Sequence, residues 1–173
     1  TLDLVATQDL ASFTLDLGSA ATVTDVHVDG VRAAHRQDVA GRKLEIALAA
    51  PLAAGMRFQV GIASEAVPAP VPRTGEDDAF SVPGQTAAES RLRLGRGLIR
   101  DGEGGMLLAA QPNGAHTLFP VNDHPQDKAT YRITLTAPAG MLGVATGVLD
   151  SLRTNVDGTT TTTWESAQPV ASH

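Results

Sequence analysis

From its first residues the chain alternates apolar and polar side chains in short runs, and that period of two restricts what it can fold into. Phe13, Leu15 and Leu17 alternate with Ser12, Thr14 and Asp16; Val26 and Val28 flank His27; Leu44, Ile46 and Leu48 alternate with Glu45 and Ala47; Phe58, Val60 and Ile62 alternate with Gln59 and Gly61. Successive side chains of a strand point to opposite faces, so each run offers one apolar face to a core. The runs end at turn formers: Asp29-Gly30, Gly41, and Pro51 to Gly55. Several such strands predict an all-β fold, an antiparallel β-sandwich or a saddle-shaped sheet.

The chain of 173 residues is long enough for one β domain over 1–173, burying on the order of 70% of its unfolded surface. It opens without methionine, at Thr1-Leu2-Asp3-Leu4, already in alternation, which suggests a piece truncated at both ends. Residues 66–85 lose periodicity and hold Pro68, Pro70, Pro72 and Pro83 beside Glu76-Asp77-Asp78, so they read as a surface loop, since proline cannot donate to a ladder. Residues 86–94 suit a short helix or a strand. Gly95 to Gly105 is glycine-rich but lacks the Gly-Lys-Ser/Thr ending of a phosphate loop, and a hairpin turning at Asp101-Gly102 explains it better. A second hairpin is expected where Val148-Leu149 and Thr159 to Trp164 flank Asn155-Val156-Asp157-Gly158. The run of five threonines fits a strand with two exposed faces.

Composition narrows the function. A formal net charge of -6 argues against a nucleic-acid partner, because phosphate binding draws on clustered Lys and Arg. Arg91, Arg93, Arg96 and Arg100 do gather, but glycines interrupt them and no aromatic is interleaved, so a solvated strand face or an interface with an acidic neighbour fits them better. The absence of cysteine excludes disulfides, thiolate metal sites and cysteine nucleophiles. No apolar run approaches the roughly 20 residues of a membrane span, and no signal-peptide pattern opens the chain. The compartment is therefore unassigned, with the cytoplasm favoured.

The segment from Phe119 to Thr136 carries the most specific signal. Asp123 is placed to cap a helical turn, with Gln126 as its capping-box partner and Pro125 in the first turn, where no helical hydrogen bond is lost. Beyond it, Tyr131, Ile133 and Leu135 point one way and Thr130, Arg132, Thr134 and Thr136 the other. The string Phe119-Pro120-Val121-Asn122-Asp123-His124-Pro125-Gln126-Asp127-Lys128-Ala129-Thr130-Tyr131 resembles the close of the N-terminal β domain in M1 family zinc aminopeptidases. Ala139 to Gly147 is similar to that family's Pro-Ala-Gly to Ala-Asn-Gly passage. Trp164-Glu165 followed by Gln168-Pro169-Val170-Ala171-Ser172 is similar to its Trp-x-x-x-x-Pro-Met-Ala-Thr/Ser-Tyr passage, with Val170 in place of Met. The match departs at Leu118, where relatives often have an aromatic residue, and the family's first strand would lie before Thr1.

The resemblance implies the accessory domain of a peptidase, packed on a downstream catalytic domain that holds the zinc. It also implies one residue that touches substrate. Gln111 falls where the family has a glutamate, or sometimes a glutamine, for the free α-amino group of the peptide. An α-ammonium is largely protonated at neutral pH and needs an acceptor, which an amide carbonyl supplies more weakly than a carboxylate. No zinc site is expected within the chain, because none of His27, His35, His116, His124 and His173 has the His-Glu-x-x-His spacing. The resemblance places that motif about 150 residues beyond His173. Nor is there a Gly-x-Ser-x-Gly elbow, so the chain alone is expected to be catalytically inert. The competing reading is a free-standing β-sandwich that binds protein or carbohydrate. A sugar-binding face would call for exposed aromatics, and the chain has one Trp, one Tyr and four Phe.

Overall fold

The computed structural model describes residues 1–69, 97–100, 104–111 and 113–172. Most of the proline-rich loop, residues 86–94, the Asp101-Gly102 turn, and Arg91, Arg93 and Arg96 lie outside the described residues. The described elements are strands, joined by turns and one short 3-10 turn, and the chain divides into two compact units, Thr1–Asp123 and His124–Ser172.

The first unit contains β1 (Leu2–Val5), β2 (Leu10–Asp16), β3 (Ala21–Val28), β4 (Val31–Arg32), β5 (His35–Asp38), β6 (Lys43–Leu52), β7 (Arg57–Ala66), β8 (Gly97–Arg100) and β9 (Met106–Ala109). They pair antiparallel in the orders β1-β7-β3-β4, β2-β6-β5 and β8-β9. The runs read from alternation are the ones that fill the core. Leu15 and Leu17, Leu44 and Ile46, Val26, and Phe58 and Val60 are buried together with Ala6 and Ala21. Val26, Leu44, Ile46 and Val60 are wholly out of solvent. Aromatic content is low, so branched aliphatics do this packing, and among the described residues the one ring pair is Phe13 edge-on to Phe58 at 5.5 Å. The Asp29-Gly30 turn forms as read. Both residues have positive φ, +49° and +79°, the pattern of a type I′ hairpin between β3 and β4.

The second unit is a three-stranded antiparallel sheet in the order β10-β12-β11, with β10 at Ala129–Ala137, β11 at Val148–Thr154 and β12 at Thr160–Val170. Tyr131, Ile133 and Leu135 are half-buried while Arg132, Thr134 and Thr136 are exposed, as the alternation required. The threonine run departs from its reading. Because β12 is the central strand, Thr162 is fully buried and Thr163 is 7% exposed. Their hydroxyls are satisfied: Thr162 Oγ donates to the Gly143 carbonyl at 2.8 Å, and Thr163 Oγ meets Thr134 Oγ at 3.1 Å. The indole N–H of Trp164 donates to the same Gly143 carbonyl, which ties the 138–147 connection to this face of the sheet.

Candidate functional site

The site is built by the chain between β9 and the end of the first unit. After buried Ala110 the chain turns, and the turn closes where the Gly114 N–H donates to the Ala110 carbonyl at 2.6 Å. Gln111 stands in this turn with an exposed side chain that has no hydrogen-bond partner among the described residues. A 3-10 turn, Ala115–Thr117, follows directly, and all three of its residues are buried. Ala110, Ala115 and Val121 form a small core here with Leu108 and Phe119 beside it.

Buried polar atoms need partners, and this turn has many. Thr117 Oγ donates to the Gly114 carbonyl at 2.7 Å and accepts the Leu98 N–H at 2.8 Å. The His116 carbonyl accepts the Gly18 N–H at 2.7 Å. Asp16 and Val121 exchange two backbone bonds, at 2.7 and 3.1 Å. Asp123 lies at the centre. Its Oδ2 accepts both the His116 main-chain N–H, at 3.1 Å, and His116 Nδ1, at 2.6 Å. The two side chains are 9% and 3% exposed. The Asp123 N–H in turn donates to Asp16 Oδ2 at 3.1 Å, and Asp16 Oδ1 pairs with Lys43 Nζ at 2.5 Å.

This geometry revises the reading of Asp123. Its carboxylate reaches back to His116 in place of capping a following helix, and no helix forms over 124–128. The short turn there is capped by His124, whose Nδ1 accepts the Gln126 N–H at 3.2 Å while its carbonyl accepts the Asp127 N–H at 2.9 Å. Alternation could not foretell the His116–Asp123 pair, because the residues are seven apart across an irregular segment. The only signal was a histidine set among small and apolar neighbours, where burial leaves an imidazole needing a partner.

No group of three or more potential metal ligands occurs among the described residues. His116 Nδ1 is committed to Asp123, and Nε2 is buried with no partner among the described residues. One imidazole cannot make a zinc centre, which takes three or four ligands, so the described residues do not fit a zinc site.

No family model matches the chain, and no curated protein matches it. Solved structures do. A two-domain M1 zinc metallopeptidase bound to L-arginine superposes with a TM-score of 0.80 at 23% identity, over 98% of this chain and 34% of the other. The M1 zinc metallopeptidase from Deinococcus radiodurans bound to a Tyr-Ser-Ala substrate gives 0.78 at 25%, with the same coverage. Legionella pneumophila aminopeptidase A in complex with aspartic acid gives 0.65 at 18%, over 94% of this chain and 16% of the other. The fold thus belongs to the class of antiparallel β domains that accompany a metallopeptidase. In particular it is the N-terminal domain fold of the M1 zinc metallopeptidases. The chain spans about a third of the length of the first two structures it matches.

Proposed function

We propose that the chain is the non-catalytic N-terminal domain of a zinc-dependent M1 aminopeptidase, one that removes residues from the N-termini of peptides. The observation that carries this reading is the fold match over 98% of the chain to about a third of two-domain metallopeptidases. On this reading the domain packs on a zinc-bearing catalytic domain. The second unit supports that role. Its only buried residues are Thr162 and Thr163, while Leu142, Val144, Leu149 and Leu152 are 43–66% exposed, an apolar surface suited to a further layer of protein.

Gln111 is the residue that meets the substrate. Its amide carbonyl accepts a hydrogen bond from the peptide's α-ammonium, and its side chain is exposed, with no hydrogen-bond partner among the described residues. In the full-length protein, Gln111→Ala should raise KM for a free-amine peptide about tenfold with little change in kcat, the loss of one hydrogen bond to a charged group. Gln111→Glu should lower KM, because a carboxylate bond is charge-assisted. An unchanged kcat/KM in Gln111→Ala would refute the assignment.

A further inference from the structure

We infer that the buried His116–Asp123 pair is a positioning device that fixes the Gln111 turn; the inference rests on the role proposed for Gln111. His116 Nε2 is the one buried side-chain nitrogen or oxygen without a partner among the described residues. An unsatisfied buried polar atom is a standing cost, and an apolar side chain would avoid it. What an imidazole adds here is Nδ1, which donates to Asp123 Oδ2 at 2.6 Å in a site almost closed to water. A carboxylate acceptor holds the proton on Nδ1 and so fixes both tautomer and ring orientation.

The bond has a direct route to residue 111. The same Oδ2 holds the His116 main-chain N–H, which fixes the backbone of the 3-10 turn beside its ring. The turn is anchored to Gly18 through the His116 carbonyl and to Leu98 through Thr117 Oγ. Gly114, bonded by Thr117 Oγ at its carbonyl, closes the Gln111 turn through its own N–H. Asp123 is itself held by Asp16, which Lys43 pairs. Such a clamp fixes the backbone from which the exposed Gln111 side chain reaches out, so that its amide is presented from one direction, and misplacing a substrate contact by a fraction of an ångström weakens it.

The test is a double-mutant cycle in the full-length protein, reading KM and kcat for a free-amine peptide and the unfolding midpoint of each variant. Gln111→Ala and Asp123→Ala should each raise KM, by about tenfold and at least threefold respectively, and the double variant should be no worse than Gln111→Ala alone. Asp123→Asn keeps an acceptor oxygen and should restore KM to within about threefold of the parent. A merely structural role would reduce the folded fraction, which lowers apparent kcat and leaves KM unchanged. Should Asp123→Ala not fold, His116→Phe keeps a flat ring in the core while removing the Nδ1 donor together with the unpartnered Nε2, and the same KM pattern is expected. If Gln111→Ala raises KM while Asp123→Ala or His116→Phe does not, or if the effects multiply in the double variant, the inference is wrong and the Gln111 reading stands. No KM effect in Gln111→Ala itself removes that reading and the inference with it.

Discussion

Gly147 is the position where one methyl group should do most damage. Its φ is +105°, and a Cβ built on it would overlap the Glu165 carbonyl oxygen, 2.5 Å from that carbonyl's carbon and 2.9 Å from the Ser166 nitrogen. Carbon atoms pack comfortably at about 3.5–4.0 Å, and backbone atoms of a central strand cannot swing aside as a long side chain can. Two costs combine in Gly147→Ala. Positive φ costs an L residue about 1–2 kcal/mol. Relief of the overlap must draw the start of β11 away from β12, where Val148 pairs with Glu165, at about 1 kcal/mol for each ladder bond lost. The sum is about 3 kcal/mol. Gly140→Ala and Gly158→Ala separate the two costs, since both glycines have positive φ, +81° and +84°, but a Cβ would meet nothing within 4 Å at the first and only Ala139 Cβ, at 3.6 Å, at the second. Those variants should lose only about 1 kcal/mol each. Urea unfolding followed by the fluorescence of Trp164, the single tryptophan and a β12 residue, should show a midpoint for Gly147→Ala roughly 1 M below the controls. Coincident midpoints for Gly147→Ala and Gly140→Ala would refute the reasoning.

Two further outcomes test other parts of the fold. Leu44→Ala removes a side chain wholly out of solvent between the sheets of the first unit and should cost about 2–5 kcal/mol in chemical unfolding, whereas Val31→Ala, at 60% exposure, should cost little. Asp157 is held below its ordinary value of 3.8 by hydrogen bonds from the Thr159 hydroxyl and then from the Thr159 N–H. A depressed carboxylate stabilises the folded state above its unfolded value, and that stabilisation is lost as pH falls through the lower folded value. The Thr159 amide resonance should therefore titrate below pH 3.8, and Asp157→Asn should remove the titration.

Strands were the legible part of this chain because period-two alternation is a local property. The runs around Leu15, Leu44 and Phe58 reappear as the buried faces of β2, β6 and β7, and Asp29-Gly30 supplies the left-handed turn its residue types favour. What alternation does not contain is strand order. The threonines of β12 look solvent-exposed by residue type, yet central placement buries two of them. The second illegible feature is the use of Asp123. Its residue type suits a cap, but the segment's bonds run backwards to His116 and Asp16, contacts of separation 7 and 107 that only the folded chain brings together. Gln111 was placed by resemblance, and the structure adds that it is exposed in a closed turn.

The most direct test of the account is an aminopeptidase assay of the full-length protein beside purified residues 1–173, each with zinc removed and restored. The account predicts zinc-dependent release of N-terminal residues by the full-length protein and none by residues 1–173. Turnover by residues 1–173 alone, or a full-length protein that stays inactive with zinc restored, would contradict it.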